Sequence, residues 1–219
     1  MKMMRLSKAG AVGIIWCALL LGQGVWAKLV EVVKVNHNIH LDIRYATKNN
    51  FAGKVVYPSA KCYLQDEAAK ALAEVEGELE KLGFGLKVFD GYRPLSVQKV
   101  FWNIVADKFP NPAERENYVA DPAKGSKHNR GTAVDLTLID LKTGKELEMP
   151  SGYDDFSDKA HRTYDKMTSR KAKKNCKLLE LVMEKHGFIG LPTEWWHFDF
   201  KGWEKYPISD VTFDELAKA

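Results

Sequence analysis

The sequence predicts an α+β fold, in which helices pack on a small, mostly antiparallel sheet. Segments with helical spacing and segments with strand-like spacing alternate irregularly, without the regular strand–helix–strand succession of a parallel sheet. No repeat or break in composition divides residues 28–219, so we expect them to form one domain. With 219 residues, of which 45% are hydrophobic, the chain can bury a core and is unlike a disordered protein.

The first half of this domain is expected to contain extended structure and two helices. Apolar and polar residues alternate over 30–45 regularly enough to predict extended structure. A helix is expected over 65–82, because apolar side chains recur at helical spacing and Gly83 follows as a C-cap. Residues 86–89 form a short apolar strand that runs into the segment 90–94, whose proline opens a second helix.

The second half is expected to contain a strand, a helix and a final strand. Residues 132–139 have the apolar character of a buried strand. A third helix is expected over 166–186, where Gly187 stops it. The final strand, 194–200, is rich in aromatic residues and ends before Gly202. Helices that pack on one face of a sheet built from these strands give the predicted α+β architecture.

The first 27 residues have the pattern of a secretory signal peptide. A basic leader precedes the 12-residue apolar run 11–22, and the small residues Val25 and Ala27 mark a cut after Ala27. The alternative is an uncleaved anchor helix, but the apolar run is shorter than the roughly 20 residues that span a bilayer. We therefore expect export to the periplasm, with no stable membrane insertion after cleavage.

Charge and cysteine content narrow the classes of partner. Of the net charge of +4, the leader's three basic residues account for all but +1, so nucleic acid is not an expected partner. The mature chain keeps Cys62 and Cys176. A disulfide between them stays open, because the sequence does not place their Cα atoms within the ~7 Å that pairing requires. The sequence also carries no signal for an oligomeric state.

Two segments combine histidine with acidic residues in unusual surroundings. His128 lies in a polar loop flanked by glycines, and Asp135 follows within an apolar strand, where an unpaired carboxylate would be costly. Glu194 and His197 lie three residues apart among aromatic residues. Two histidines and one aspartate supply the three ligands of a catalytic zinc site, while buried structural polar residues are the alternative. Since an offset of three points side chains to opposite faces of a strand, Glu194 and His197 need a bulge or a strand start between them.

The combined pattern resembles the zinc D-Ala-D-Ala peptidases, and most closely the D-alanyl-D-alanine dipeptidases of the vancomycin-resistance type. The resemblance rests on Ser-x-His-x6-Asp, the later Glu-x-x-His, and Asp-Gly-Tyr-Arg-Pro upstream of both. It extends to the N-terminal segments 42–47 and 50–53 and to the loop 149–156, all in the family order. The fold that it implies is the α+β type shared by hedgehog domains and D,D-peptidases.

The resemblance implies a zinc-dependent dipeptidase that hydrolyses D-Ala-D-Ala, with one zinc ion per chain. Carried over by position, the zinc ligands are His128, Asp135 and His197, and Glu194 is the general base. Arg93 would stabilise the oxyanion, although a structural arginine paired with the acid three residues before it is an alternative that can coexist with that role. The positions that match substrate-binding residues are Tyr45, Asp90, Ser126 and Asp154.

Some alternatives stay open at this point. Asp154 matches the acid that would receive the free ammonium of the substrate, but Asp155 beside it could be that acid instead. The family's dipeptidases are typically cytoplasmic, so an export signal indicates recycling of wall-derived dipeptide in peptidoglycan metabolism. The rival functions are a D,D- or L,D-carboxypeptidase that acts on longer wall peptides and a non-catalytic zinc-dependent binding module. Glu194 argues against the module, because a purely structural zinc site needs no base.

Overall fold

The computed structural model describes residues 28–164, 166 and 169–218. The proposed signal peptide, 1–27, lies outside the described residues. Two sheets organise the described part. The helices and strands, in chain order, are β1 (Leu29–Glu31), α1 (Val32–Val35), β2 (His40–Leu41), β3 (Tyr63–Gln65), α2 (Asp66–Glu80), β4 (Phe84–Asp90), α3 (Leu95–Ile104), α4 (Pro112–Arg115), β5 (Ala133–Asp140), α5 (Arg170–Lys185), β6 (Phe188–Gly190), β7 (His197–Phe200) and α6 (Phe213–Leu216).

The main sheet confirms the α+β prediction. Its five strands lie in the order β2-β4-β5-β7-β6, and all neighbours are antiparallel except β2 and β4. Strands β1 and β3 form a separate antiparallel pair. The strands at the centre of the main sheet are therefore β4, β5 and β7, whose ends carry the candidate site.

The core lies between this sheet and the two longest helices. Helix α2 buries Leu72, Val75 and Leu79, and α5 buries Leu179 and Met183. The chain turns sharply after α2, because Gly83 adopts the left-handed conformation that residues with side chains rarely adopt. Burial of each such side chain stabilises the fold by about 1.5–3 kcal/mol, and this layer holds the site-bearing strands in place.

Three predicted element boundaries are corrected by the structure. Residues 30–45 are not extended throughout, because Val32–Val35 forms a helical turn and Arg44–Ala46 a 3₁₀ turn. The third helix begins at Arg170, because the Ser169 side chain accepts a hydrogen bond from the Ala172 amide and caps it there. The final strand begins at His197 and not at 194.

The structure also bears on membrane insertion and on the open question of a disulfide. Across residues 28–164, 166 and 169–218, no helix combines the length and apolar character needed to cross a membrane. Cys62 and Cys176 are both buried free thiols, so the structure does not pair them.

Candidate active site

The register of the central strands sets the candidate ligands side by side. Asp135, near the start of β5, pairs with Asp90 at the end of β4 and with His197 at the start of β7. His128 comes from the 3₁₀ turn His128–Arg130 just before β5. That turn is tied to the segment after β4 by two hydrogen bonds, from the Arg93 amide to the His128 carbonyl and from the Asn129 side chain to the Arg93 carbonyl.

Three buried ligand atoms converge on one point. The Asp135 Oδ1 atom lies 3.0 Å from His197 Nδ1 and 3.4 Å from His128 Nε2. The two histidine nitrogens lie 3.2 Å apart. All three atoms fall within 4.8 Å of one another, which is compact enough for one ion. The structure thus brings together the three predicted ligands, His128, Asp135 and His197.

The other polar atom of each ligand already has a partner. His128 Nδ1 donates to the Gly91 carbonyl at 2.7 Å, and His197 Nε2 donates to Asp199 Oδ1 at 2.9 Å. The Tyr153 hydroxyl donates to Asp135 Oδ2 at 2.9 Å. With these bonds made, the remaining polar atom of each ligand points to the common centre, and two imidazoles with one carboxylate suit zinc.

Gly91 is required where it stands. A Cβ atom at this position would lie 2.5 Å from Cys62 Sγ and 3.0 Å from the Tyr63 carbonyl oxygen. The backbone can therefore approach strand β3 closely only with glycine. That approach directs the Gly91 carbonyl at His128.

The electrostatics of the three side chains also favour a cation. Burial lowers the pKa of His197, but hydrogen bonds to Asp135 and Asp199 outweigh it and raise that pKa to about 10. Burial likewise opposes ionisation of Asp135, yet the charges of His128 and His197 hold its pKa well below the usual range. A divalent cation at the converging atoms would replace the positive charge of the His197 imidazole, and its binding would release that proton.

Glu194 lies beside this point without joining the ligand set. It stands in the turn that precedes β7, with its amide bonded to the Leu191 carbonyl. Its Oε2 atom is 3.8 Å from His197 Nδ1, and burial raises the pKa of its carboxyl group. The strand start at His197 is what allows Glu194 and His197 to face the same site.

Arg93 pairs with the acid three residues before it and also faces the cavity. Its guanidinium pairs with Asp90 Oδ2 at 2.7 Å and donates to Gln98 Oε1 at 2.9 Å, and it also lines the cavity at the site. Asp90 is fully buried behind it and accepts a further bond from the Tyr57 hydroxyl. The sequence predicts that Asp90 contacts the substrate. The structure corrects this, because Asp90 does not line the cavity and instead supports Arg93 from behind.

Asp154 and Tyr45 lie together at another part of the same cavity. Asp154 Oδ1 accepts from the Tyr45 hydroxyl at 3.0 Å, and Oδ2 accepts from the Phe51 amide at 3.2 Å. Burial raises the pKa of Asp154 to about 7. Asp155 is different, because its carboxylate accepts from the Ser157 amide in a local turn and it does not line this cavity. Of the two acids, the structure places Asp154 at the site.

The cavity has a volume of about 800 Å³, and its lining includes both predicted and unpredicted residues. Ser126, a predicted substrate contact, lines it and accepts a hydrogen bond from the His128 amide. His161, which the sequence analysis did not single out, lines it as well. Tyr153 and Asp199 form hydrogen bonds with the ligands Asp135 and His197. The sequence does not predict these contacts, because a loop tyrosine or a strand aspartate is common outside such sites.

Comparisons with known proteins place the chain among sequences of similar description. A family model described as D-Ala-D-Ala dipeptidase matches residues 26–215. The chain is 34% identical over 181 residues to a D-alanyl-D-alanine dipeptidase of Escherichia coli, covering 83% of this chain and 89% of that protein. It is also 34% identical over 189 residues to a D-alanyl-D-alanine dipeptidase of Enterococcus faecalis, covering 81% of this chain and 93% of that protein.

A solved structure also shows a limited similarity to the chain. The LD-carboxypeptidase LdcB is 23% identical with a TM-score of 0.44, covering 65% of this chain and 62% of that one. The family model and the curated relatives each span most of the chain. With its converging histidines and aspartate and the neighbouring Glu194, the chain thus belongs to the D-Ala-D-Ala dipeptidase family of peptidases.

Proposed function

We propose that the protein is a zinc-dependent D,D-dipeptidase that hydrolyses free D-Ala-D-Ala in peptidoglycan metabolism. The observation that carries the proposal is one cavity that holds three kinds of group. These are the converging ligand atoms, an acid beside them that is not a ligand, and a second buried acid at Asp154. The names of the relatives support D-Ala-D-Ala as the substrate.

The ligand set would hold zinc through His128 Nε2, Asp135 Oδ1 and His197 Nδ1. Zinc, when bound there, supplies a Lewis acid that polarises the scissile carbonyl and acidifies water. Glu194 takes a proton from the attacking water and later gives it to the leaving amine as the C–N bond breaks. The raised pKa of its carboxyl group suits both transfers.

Two further side chains orient the substrate and stabilise charge. The Arg93 guanidinium, held by Asp90 and Gln98, opposes the negative charge that develops on the carbonyl oxygen. Asp154 receives the free ammonium of the dipeptide, with its carboxylate held by Tyr45 and Phe51. Tyr45 therefore acts by holding Asp154, and Ser126 lies where it can contact the substrate on the cavity wall.

The activity is tested by comparing two substrates with purified, zinc-loaded protein. We expect faster release of D-Ala from D-Ala-D-Ala than from an N-acylated tripeptide that ends in D-Ala-D-Ala. A matched Glu194→Gln protein controls for contaminating peptidase. Faster cleavage of the acylated tripeptide would favour a carboxypeptidase, and cleavage of neither substrate would favour a binding module.

Location is a separate part of the proposal. The pattern of residues 1–27 supports export to the periplasm, where the enzyme would recycle dipeptide released from the wall. The mature protein is then expected to begin at Lys28. N-terminal sequencing of protein from fractionated cells tests this, and an intact Met1 on a cytoplasmic protein would refute it.

A further inference from the structure

The two oxygens of the Asp135 carboxylate have different surroundings. Oδ1 faces His128 Nε2 and His197 Nδ1, whereas Oδ2 accepts a 2.9 Å hydrogen bond from the Tyr153 hydroxyl. The side chain is almost fully buried, with 4% exposure, so water does not replace a lost partner at little cost. The Tyr153 hydroxyl thus fixes which oxygen faces the histidines.

The Tyr153 ring is held by packing from two sides. Its centroid lies 4.8 Å from that of Phe89 and 5.5 Å from that of Trp196. The hydroxyl also lies 3.2 Å from the Tyr45 hydroxyl, which is 3.0 Å from Asp154 Oδ1. Each phenol has one proton, and a carboxylate is a stronger acceptor than a phenol. Tyr45 therefore donates to Asp154, and Tyr153 donates to Asp135.

We infer that Tyr153 is a positioning residue of the metal centre, which acts through Asp135 and not by touching the substrate. The inference rests on the proposed function for the identity of the metal. Without the hydroxyl, Asp135 Oδ2 would be a buried carboxylate oxygen without a donor, and the carboxylate would be free to rotate away from the histidines. Partners that fix a metal ligand in this way typically contribute a factor of about 10–100 to metal affinity.

The test compares two variants that each lose one phenolic oxygen. Tyr153→Phe keeps the ring that packs on Phe89 and Trp196. Tyr45→Phe is the matched control, because the Tyr45 hydroxyl donates to Asp154 and not to Asp135. Zinc affinity is measured by competition with a chromophoric chelator, with no substrate present. We expect Tyr153→Phe to bind zinc about 10–100-fold more weakly than wild type and Tyr45→Phe to stay within about threefold.

A second readout separates positioning from a general loss of structure. The visible absorption of the cobalt-substituted protein is expected to change in Tyr153→Phe and not in Tyr45→Phe, while thermal unfolding of both metal-free variants stays cooperative. Wild-type zinc affinity in Tyr153→Phe, or an equal loss in both variants, would overturn the inference. Failure of the wild type to cleave D-Ala-D-Ala would instead refute the proposed function and leave the zinc comparison valid.

Discussion

Replacement of Asp154 by asparagine tests how the site distinguishes a free dipeptide from an acylated peptide. Asparagine is preferable to alanine here, because Asp154 has a φ of 60°, a conformation that asparagine tolerates better than most residues. Its side-chain oxygen can still accept from the Tyr45 hydroxyl or the Phe51 amide. The substitution therefore removes the charge and leaves most of the local geometry.

The size of the effect follows from the burial of this carboxylate. Removing one partner of a buried, hydrogen-bonded charge pair costs about 2–5 kcal/mol, and every 1.4 kcal/mol is about tenfold. We expect Asp154→Asn to lower kcat/KM for D-Ala-D-Ala at least about tenfold. The change for an N-acylated substrate is expected to be small, because that substrate brings no ammonium to the site.

The assay is a pair of substrate titrations at pH 8. At that pH the Asp154 carboxyl group of the wild type is mostly ionised, because burial raises its pKa only to about 7. Asp155→Asn is the matched control, since that carboxylate accepts from the Ser157 amide in a turn. A loss of less than about threefold in Asp154→Asn, against the expected factor of ten, would refute the assignment. A loss confined to Asp155→Asn would move the ammonium site by one residue.

Four other substitutions test separate parts of the structure. His128→Ala and His197→Ala are each expected to abolish turnover and reduce bound zinc well below one ion per chain by metal analysis, because two ligands hold the ion weakly; full zinc content in both would contradict the ligand set. Glu194→Ala is expected to keep zinc and lose roughly 10²–10⁴-fold in kcat, and activity close to wild type would move the base to another acid, with Asp199 the next candidate. Burial raises the pKa of Glu76 to about 7, so its contribution to stability is present below its ordinary pKa of 4.5 and is lost as pH rises through 7. Thermal unfolding should therefore show Glu76→Gln more stable than wild type at pH 8, with a smaller gain at pH 5, and equal gains would contradict this assignment.

The sequence predicts a helix or strand well where the pattern of its own residues determines the structure. Helix α2 has a long apolar repeat and a terminal glycine, and β5 is apolar over most of its length, so both are readable locally. The turn at Val32–Val35 is different, because tertiary contacts fix short elements of this kind. The Val32 amide bonds to the carbonyl of Cys62, thirty residues away in sequence.

In the functional site, too, local patterns predict individual residues, whereas contacts between distant segments are not predictable. His128, Asp135 and His197 were predicted because a histidine or an acid among apolar or glycine residues is unusual, and because the motifs resemble a known family. The register that aligns Asp135 with His197 was not predictable from either segment alone. Neither was the hydrogen bond from Tyr153 to Asp135, since the two residues are 18 positions apart and meet only in the folded structure.

Stepwise addition of zinc to metal-free protein tests the central claim most directly, because it joins the ligand set to the reaction. We expect D-Ala-D-Ala hydrolysis to rise in proportion to added zinc and to reach a plateau at one ion per chain, and His197→Ala to stay inactive throughout. Full turnover by the metal-free wild type, or an equal plateau in His197→Ala, would contradict the assignment of this centre as the catalytic zinc site.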